Sequence, residues 1–338
     1  MDNYRIAFTS PGVAELEVCE VQHPKAGEVL VRLAVSTLSA GTERANLAGE
    51  INITPNRWDT EAHFPRYSGY SSSGTIEEIG EGVTSVKVGD RVAVHWGSHS
   101  KFVCVSERNV HLIESEKVSF SEAALAFIST FPLASIRKCH LEVGESAMVM
   151  GVGILGRLAI KQLLLAGAVP VIAAARSPEK RAAALALGAD YAFDPNDPDF
   201  AQKVREVTHG GVNVAIEVTG SAQALDSVLD CMAKMGRVSL TGCTRHSDFT
   251  IDYYHKVHGP GIALYGAHTQ ARPEYESSRG YWTHHDDIMA VLRLMAVGRY
   301  DLKDFVEETH SPREAPEVYA RLMTEHTFPV VQFDWSKM

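Results

Sequence analysis

The feature that most constrains this chain is a glycine turn near its middle, "GVGILG", which contains Gly151, Gly153 and Gly156. The apolar run "SAMVM" precedes the turn, and "RLAIKQLLL" follows it with helical spacing of apolar residues. A GxGxxG pattern between a strand and a helix is typical of dinucleotide-binding turns. The first glycine allows the tight turn, the second lets a pyrophosphate approach the backbone, and the third lets helix and strand pack closely.

Strands and helices alternate after this turn. "VPVIAAA", "VNVAIEVTG" and "GRVSLTG" have the composition of short buried strands, and helical patterns lie between them. This alternation predicts an α/β unit with a doubly wound parallel sheet. The candidate cofactor-binding residues of this unit lie in the turn and at the ends of later strands: Gly151, Gly153, Ile154, Leu155, Gly156, Thr219, Thr241, Gly242 and Gly266.

The second strand of this unit ends in "VIAAARSPEKR". An NAD site usually carries an acid near Ala175, which bonds the ribose 2′-hydroxyl. Here Arg176 and Ser177 follow, with Lys180 and Arg181 one turn further on. An arginine fork binds a 2′-phosphate well, so the pattern favours NADP over NAD. The alternative is a solvated helix start, although cations near a helix N-terminus are mildly unfavourable.

The first third of the chain has strand signals without intervening helices. Segments such as "YRIAFTS", "EVLVRLAVSTLS" and "DRVAVH" alternate or are β-branched, and Gly, Pro or Asp lies between them. They predict a compact antiparallel, barrel-like module. Helical spacing follows in "SFSEAALAFISTFPLASIRK", with Ser121 as its candidate N-cap. The tail "FPVVQFDW" is predicted to be a strand that returns to the first module.

Composition excludes several classes of protein. A net charge of −10 over 338 residues argues against a nucleic-acid partner, because phosphates are usually met by a basic surface. The five cysteines form no CxxC pair, which argues against a disulfide scaffold or a four-cysteine zinc lobe and favours a cytoplasmic setting. The most apolar run is interrupted by Lys161, Gln162, Gly167 and Pro170, so it predicts a buried helix and strand and no membrane partner.

The order of these motifs resembles the medium-chain dehydrogenase/reductase superfamily, which includes zinc alcohol dehydrogenases and zinc-free quinone reductases. The resemblance rests on "GTE", "GEGVTSVKVGDRVAV", "EAALAFIST" and "VMGVGILGRLAIKQLLLAGA", and it spans nearly the whole chain. It implies a GroES-like catalytic domain over 1–128, a Rossmann domain over 129–265, and a return to the catalytic domain over 266–338. It also implies a homodimer.

The same resemblance predicts that the catalytic zinc site of the family is absent. Ala40 stands where zinc members carry a cysteine, Tyr70 and Ser71 replace a His and a Glu, and Phe127 replaces a later cysteine. None of these four is a good zinc ligand at neutral pH. The hydroxyl-rich "RYSGYSSSG" is therefore predicted to be an active-site wall. The alternative is that Tyr70 only fills space.

Without zinc, hydrogen-bond donors must polarise a substrate carbonyl. Tyr70 is the first candidate, because a phenol with a reference pKa of about 10 is protonated at neutral pH. Thr42 matches the relay hydroxyl of zinc-dependent relatives, and His95 and His99 are further candidate donors that also fit ordinary packed or surface positions. The predicted substrate-pocket residues are Glu43, Ser71, Trp96 and Phe127. His284, His285 and Asp286 are predicted to begin a helix and not to bind a metal.

These observations predict a zinc-independent, NADP(H)-dependent oxidoreductase that interconverts a carbonyl and an alcohol, on a hydroxylated substrate such as a sugar or cyclitol derivative. Reduction of a quinone or an enone C=C bond is one alternative, and a non-enzymatic NADPH-binding protein is another.

Overall fold

The structure is a computed structural model that describes residues 2–53, 60–245, 249–325 and 327–338. It divides into two compact units. The first comprises Met1–Ile128 and Ile288–Met338, and the second comprises Ser129–Asp287.

The strands of the described residues are β1 (Asp2–Ser10), β2 (Val13–Glu20), β3 (Glu28–Thr37), β4 (Ser71–Ile79), β5 (Arg91–His95), β6 (Phe102–Ser106), β7 (Val110–Leu112), β8 (Ala147–Met150), β9 (Val171–Ala174), β10 (Tyr191–Phe193), β11 (Val212–Glu217), β12 (Met232–Leu240), β13 (Ala263–Gly266), β14 (Glu308–His310) and β15 (Val331–Asp334). The α-helices are α1 (Ala40–Ala48), α2 (Phe120–Ala123), α3 (Ala126–Lys138), α4 (Ile154–Leu165), α5 (Pro178–Ala186), α6 (Phe200–Val207), α7 (Ala222–Cys231), α8 (His284–Ala296) and α9 (Ala315–Thr324). None of these helices is both long and apolar enough to cross a bilayer.

The first unit is built on mainly antiparallel strands. One sheet has the order β14-β15-β3-β4-β5-β7 with β6 also paired to β3, and β1 and β2 form a separate hairpin. The tail strand β15 pairs antiparallel with β3, with Gln332 opposite Thr37, so the predicted return of the tail is confirmed. Phe8, Phe333 and Trp335 lie in a core that this sheet shares with α9. Burial of each such side chain stabilises the unit by roughly 1.5–3 kcal/mol.

The second unit is a six-stranded sheet with the order β10-β9-β8-β11-β12-β13, and all of its strand pairs are parallel. Strands β8 and β9 are buried along their whole length, as expected of strands covered on both faces. The chain runs outward from β8 in both directions, so the predicted doubly wound sheet is confirmed. Ligands of such sheets bind at the carboxyl ends of strands near this reversal. The loops after β8, β9 and β11 are therefore the candidate ligand-binding loops.

The helical segment after the first module begins two residues earlier than predicted. The Ser119 hydroxyl accepts a hydrogen bond from Glu122 N (3.2 Å), and the Glu122 carboxylate accepts one from Ser119 N (3.1 Å), which is a capping box. Ser121 instead donates to Gln332 Oε1 (2.6 Å). The predicted N-cap Ser121 is therefore wrong, although the S-x-x-E spacing from Ser119 was present in the sequence.

Residues 266–287 belong to the second unit, whereas the sequence predicts a return to the first unit over 266–338. The Lys138 ammonium on α3 donates to Gly266 O (2.9 Å) and Ala271 O (2.7 Å). Burial, helped by the nearby Arg272 charge, lowers the pKa of Lys138. Arg137 on the same helix forms an ion pair with buried Asp287 (2.8 Å). These contacts attach the segment to α3, which the sequence pattern did not reveal.

Candidate functional site

Tyr70, Trp96 and Phe127 form an aromatic cluster in the first unit. The ring centroids of Tyr70 lie 5.6 Å from Phe127 and 5.8 Å from Trp96, and those of Trp96 and Phe127 are 5.2 Å apart. These separations are within the favourable range for aromatic pairs. Phe127 is buried, Tyr70 is half-buried, and Trp96 is 39% exposed, so the cluster runs from the core to the surface of the unit.

Paired strands bring the cluster together. Tyr70 immediately precedes β4 and Trp96 immediately follows β5, and the two strands pair with Ser71 opposite His95. Trp96 N donates to Tyr70 O (3.0 Å). Trp96 has a φ of 56°, a left-handed conformation that costs a non-glycine residue about 1–3 kcal/mol and is often found at functional sites.

The Tyr70 hydroxyl donates a hydrogen bond to Ser39 Oγ at 2.5 Å. Ser39 is the N-cap residue of α1, yet its side chain makes no capping hydrogen bond. In contrast, Ser119, Ser177 and Ser221 cap α2, α5 and α7 with their hydroxyls. An N-cap hydroxyl that bonds the first turn typically stabilises a helix by about 1 kcal/mol. The Ser39 hydroxyl bonds Tyr70 and does not make this contribution to α1.

Ser71 does not present its hydroxyl to a pocket. The side chain is 1% exposed, donates to Ala124 O (2.7 Å) and accepts from Ile128 N (3.3 Å). The hydroxyl therefore attaches β4 to the backbone around α2 and α3. The predicted pocket role of Ser71 does not agree with this position, because both of these bonds lie inside the protein.

Glu43 and His99 are buried together in the core of the first unit, with exposures of 0% and 1%. His99 Nε2 lies 3.1 Å from Glu43 Oε2, and Tyr319 donates to the same oxygen at 2.5 Å. Ser39 N donates to Glu43 Oε1 (2.8 Å). This position does not agree with the predicted roles of His99 as a catalytic group and Glu43 as a pocket residue, because the two side chains bond each other away from solvent.

The donors of this network point toward the Glu43 carboxylate. Trp335 Nε1 can only donate, and it bonds Ser36 Oγ at 2.9 Å. Ser36 lies 2.7 Å from His99 Nδ1, so a Ser36 hydroxyl that donates to Nδ1 leaves the His99 hydrogen on Nε2, facing Glu43. Burial and the Glu43 charge raise the pKa of Tyr319 well above its ordinary value, which keeps this phenol a donor.

His95 lies behind the aromatic cluster, 5.1 Å from Phe127 between ring centroids, and is 5% exposed. Its Nδ1 is 3.2 Å from Asn109 O and 2.9 Å from His111 Nε2. A carbonyl can only accept, so the hydrogen is assigned to His95 Nδ1. Thr42 is half-buried on α1, and its backbone oxygen accepts from Asn46 Nδ2 (2.9 Å). The catalytic roles of both residues remain predictions.

The glycine turn of the second unit has the geometry that its pattern predicts. Gly151 follows β8 with a φ of 103°, and Gly153 is the N-cap of α4, whose first residues are Ile154 and Leu155. A Cβ on Gly156 would lie 1.9 Å from Gly151 O, whereas a Cβ on Gly153 would meet nothing within 4 Å. Gly156 therefore serves close packing, and Gly153 leaves space beside the helix N-terminus, where an anion binds well.

Glu217, at the carboxyl end of β11, joins the loops next to this turn, and it is not among the site residues predicted from the sequence. Its buried carboxylate accepts from Thr219 N (2.7 Å), the Thr219 hydroxyl and Gly220 N (3.1 Å). Its backbone oxygen accepts from the N–H groups of Thr241 and Gly242, both at 2.9 Å. Burial raises the pKa of Glu217, and the bonds from Thr219 and Gly220 partly oppose that rise. The signal in the sequence that could have identified Glu217 is an acidic residue at the end of a buried strand.

Most of the predicted cofactor residues thus lie along one edge of the sheet. Thr219 packs against the glycine turn, since a Cβ on Gly151 would lie 2.6 Å from its methyl group. Thr241 and Gly242 follow β12, and Gly266 ends β13. These positions are the carboxyl ends of parallel strands, where dinucleotides bind in doubly wound sheets.

The cationic residues after β9 have different environments. Arg176 is exposed, and Ser177 caps α5 by accepting from Lys180 N (3.3 Å). Arg181 Nη1 donates to Ala175 O and Arg176 O, both at 2.7 Å, and pairs with Asp194 (3.0 Å). Arg181 therefore stabilises the β9–α5 turn, which makes it a poorer candidate for a 2′-phosphate than Arg176.

The "THHDD" segment begins α8, as predicted. Thr283 Oγ1 accepts from Asp286 N (3.1 Å) and donates to Asp286 Oδ2 (2.9 Å), so Asp286 takes part in capping. Across residues 2–53, 60–245, 249–325 and 327–338, no group of three or more His, Cys, Asp or Glu side chains is arranged to hold a metal ion.

Two family profiles match the chain in the order of its units. "Alcohol dehydrogenase GroES-like domain" matches residues 25–124, and "Zinc-binding dehydrogenase" matches residues 154–278. The chain therefore belongs to the medium-chain dehydrogenase/reductase superfamily, among proteins like the zinc-type alcohol dehydrogenases, as the resemblance implied. Its first unit is GroES-like and its second is Rossmann-like.

Two relatives are named as dehydrogenases of L-threonine and of (R,R)-butanediol. L-threonine 3-dehydrogenase of Pyrococcus horikoshii is 28% identical over 350 residues, which covers 94% of both chains. (R,R)-butanediol dehydrogenase of Bacillus subtilis is 30% identical over 236 residues, 61% of this chain and 68% of the relative. The relatives support an alcohol or polyol dehydrogenase type of activity.

Solved structures show the same fold over nearly the whole chain. An alcohol dehydrogenase of Escherichia coli CFT073 in complex with NADH has a TM-score of 0.82 at 17% identity, with 98% of this chain and 99% of the other covered. A zinc-binding dehydrogenase of Sinorhizobium meliloti 1021 bound to NADP has a TM-score of 0.82 at 19% identity, with 99% of both chains covered. At these identities the two structures show that the fold is shared.

The residues that the resemblance predicts at the family's zinc positions do not fit a zinc ion. Ala40 and Phe127 have no ligand atom, and the Ser71 hydroxyl bonds backbone groups at 2.7 and 3.3 Å. Tyr70 is bonded to Ser39, and a protonated phenol is not among the usual zinc ligands. No catalytic step is therefore derived through a metal at this place.

Proposed function

We propose that this protein is a zinc-independent, NADP(H)-dependent oxidoreductase that interconverts a carbonyl and an alcohol on a small hydroxylated substrate. The observation that carries this proposal is the Tyr70 phenol, which bonds Ser39 at 2.5 Å within an aromatic cluster. The sequence resemblance predicts that Tyr70 stands at a zinc-ligand position of the family.

Tyr70 takes over the task that zinc performs in metal-dependent relatives. A bound nicotinamide supplies or accepts the hydride. As the carbonyl carbon is reduced, its oxygen becomes an alkoxide, and Tyr70 donates the phenolic proton to that oxygen. An alkoxide is a far stronger base than a phenolate, so this transfer is downhill. In the oxidative direction, the ionised phenol removes the proton of the alcohol.

The preference for NADP rests on Arg176. It follows β9 at the place where NAD sites usually carry an acid, and its side chain is exposed. Glu179, in the first turn of α5, bonds the Ser177 hydroxyl (2.5 Å), so its carboxylate is directed toward the helix cap. A guanidinium at this position matches a 2′-phosphate in charge and geometry.

The substrate class is supported by the relatives and by the edge of the cluster. L-threonine and butanediol, the substrates named for two relatives, both carry hydroxyl groups. The exposed Trp96 and the half-buried Tyr70 combine an apolar face with a hydrogen-bond donor, which suits a sugar or cyclitol ring. The same aromatic faces favour a flat quinone or enone as the second candidate.

The deciding experiment is turnover on a substrate panel, with NADPH and NADH, after extended chelation. We expect activity on a polyhydroxylated ketone or alcohol that survives chelation, and well under one zinc per chain by elemental analysis. Tyr70→Phe should lower kcat at least tenfold and leave NADPH affinity unchanged, since a positioned acid contributes about 10²–10⁴-fold. Phe127→Leu is the control for lost aromatic packing without loss of a donor.

Four results would contradict the proposal. Stoichiometric zinc that is lost together with activity would restore the metal mechanism. Full turnover by Tyr70→Phe would make Tyr70 a packing residue, and preferential reduction of enones would favour the second candidate. NADPH binding without turnover on any compound of the panel would favour a non-enzymatic role.

A further inference from the structure

Ser39 has an unusual place for a serine at a helix start. It is 5% exposed and is the N-cap of α1, but its hydroxyl accepts from Tyr70 and not from the first turn of the helix. Its backbone N–H is bound by the Glu43 carboxylate (2.8 Å). The residue is thus fixed by its backbone, and its hydroxyl is directed to the Tyr70 phenol.

Buried contacts hold both members of this hydroxyl pair. Glu43 is bound by His99 and Tyr319, so the acid that fixes Ser39 is itself fixed. His99 N donates to Ser68 O (2.7 Å), and a Cβ on Gly69 would lie only 2.3 Å from that nitrogen. The backbone that leads to Tyr70 is therefore packed against His99, and the same network positions the serine and the tyrosine.

A hydroxyl pair can exchange donor and acceptor roles, because each oxygen carries one hydrogen and also accepts. In the structure the Tyr70 O–H points to Ser39. If the Ser39 O–H turns toward the Tyr70 oxygen, the phenol proton is released toward a substrate. The same Ser39 O–H then stabilises the phenolate that remains, and hydrogen bonds to a charged group are stronger than those between neutral groups.

We infer that Ser39 is a positioning residue that reverses its hydrogen bond with Tyr70 during proton transfer and stabilises the Tyr70 phenolate. In reduction, the Tyr70 O–H bond breaks, the proton goes to the substrate oxygen as hydride reaches the carbon, and Ser39 donates to the phenolate until water reprotonates it. The catalytic part of this inference rests on the proposed function, while the bond between the two hydroxyls does not.

Other titratable groups near Tyr70 must be considered in any pH measurement. Glu43 on α1 reaches it through Ser39, and His99 lies beneath Gly69. On β5, His95 packs against Phe127, and on β7 His111 bonds His95. Each of these groups is present both in wild type and in a Ser39 variant. Their contributions to the Tyr70 midpoint therefore cancel when the two proteins are compared.

The experiment is a pH titration of tyrosine labelled with ¹³C at Cζ, followed by NMR in the full-length protein. The Tyr70 signal is identified by its absence in Tyr70→Phe. Ser39→Ala should raise the midpoint of Tyr70 ionisation by about 1–2 pH units, the size of a hydrogen bond to a charged group. Ser39→Thr, which keeps a hydroxyl, should restore a midpoint near that of wild type.

The matched control is Ser72→Ala, at the second position of β4 and two residues after Tyr70. Ser72 is also buried, and within the described residues its hydroxyl has no hydrogen-bond partner. We expect no shift of the Tyr70 midpoint in this variant. If Ser39→Ala does not fold, Ser39→Cys, with a weaker donor, should give a smaller upward shift.

Kinetics separate the inference from the proposed function. On an active substrate, Ser39→Ala should lower kcat about tenfold and add no further loss in a Tyr70→Phe background. An unchanged Tyr70 midpoint in Ser39→Ala, or an equal shift in Ser72→Ala, would overturn the inference. A shift in Ser39→Ala without turnover on any carbonyl would contradict the proposed function and still support the hydrogen bond between Ser39 and Tyr70.

Discussion

The glycine turn of the second unit and the aromatic cluster of the first differ in what builds them. The turn is defined by the backbone: Gly156 leaves no room for a Cβ, and Gly151 has a φ of 103°. The cluster is defined by side chains that converge from β4, from the end of β5 and from α3. One site is a short continuous motif, and the other is assembled from segments far apart in the chain.

This difference explains which sites tolerate substitution. A backbone site fails when any side chain enters the space that it needs. A side-chain site depends on a supporting network, which here consists of Glu43, His99 and Tyr319 beneath Ser39. The addition of a single side-chain atom should therefore disrupt the glycine turn. The cluster should instead be disrupted by substitution of buried residues that never contact the substrate.

The largest effect is expected within the glycine turn. Gly156→Ala should destabilise the protein by about 4 kcal/mol or more and abolish nucleotide binding, because its Cβ would lie 1.9 Å from Gly151 O. Gly153→Ala should cost less than about 1 kcal/mol and still weaken nucleotide binding at least tenfold, because its methyl group would enter the open space beside the helix. Chemical denaturation and NADPH titration measure the two effects, and equal stability of both variants would contradict the backbone argument.

The next largest effect concerns the network beneath the cluster. Glu43→Ala should lower the free energy of unfolding by about 3–5 kcal/mol, since buried donors from His99, Tyr319 and Ser39 lose their acceptor. Glu17→Ala is the control: Glu17 pairs with Arg5 at 3.1 Å near the surface, and its loss should cost less than about 1 kcal/mol. If urea denaturation gives a similar loss of unfolding free energy for Glu43→Ala and Glu17→Ala, the Glu43 network stabilises the protein no more than a surface ion pair does.

Substitution of the two arginines after β9 should have different effects, one on nucleotide affinity and the other on the free energy of unfolding. Arg176→Ala should lower NADPH affinity about 10–100-fold with an unchanged Tm, because it removes the charged hydrogen bond to the 2′-phosphate that the proposed function assigns to Arg176. Arg181→Ala should lower the free energy of unfolding by about 1–2 kcal/mol, because it removes the donor to Ala175 O and Arg176 O. Equal affinity of wild type for NADPH and NADH would rule out the proposed role of Arg176.

The smallest effect is a pH dependence at Glu217. Burial raises its pKa in the folded state above the ordinary value of 4.5, so the folded protein holds this proton more tightly than the unfolded chain. The corresponding stability is present below about pH 4.5 and is lost as the pH rises through the folded-state pKa. Glu217→Gln cannot titrate, so the stability of wild type relative to this variant should fall over that window. A difference that is constant with pH, measured by denaturation at several pH values, would contradict the raised pKa.

Side-chain positions account for most differences between expectation and structure. Nothing local in "GTE" or "GSHS" indicates that Glu43 and His99 meet in the core, because they are brought together by the pairing of distant segments. Arg181 was grouped with Arg176 because both are cations, and only the fold shows that Arg181 reaches back to the carbonyls of its own turn. The N-cap was predicted at Ser121, two residues too late, although the S-x-x-E spacing of the capping box at Ser119 is local and present in the sequence.

The sequence by itself determined the doubly wound unit, the glycine turn and the family, because these depend on local patterns: buried strands, helical spacing and glycines that leave room for a ligand or for a neighbouring backbone. That the family's zinc ligands are replaced stays a prediction from the sequence. Only the tertiary structure decided which hydroxyls and charges face one another. Whether Tyr70 meets Ser39, and whether Glu43 lies in a pocket or in the core, depends on strand pairing and burial across the chain, which no local pattern encodes.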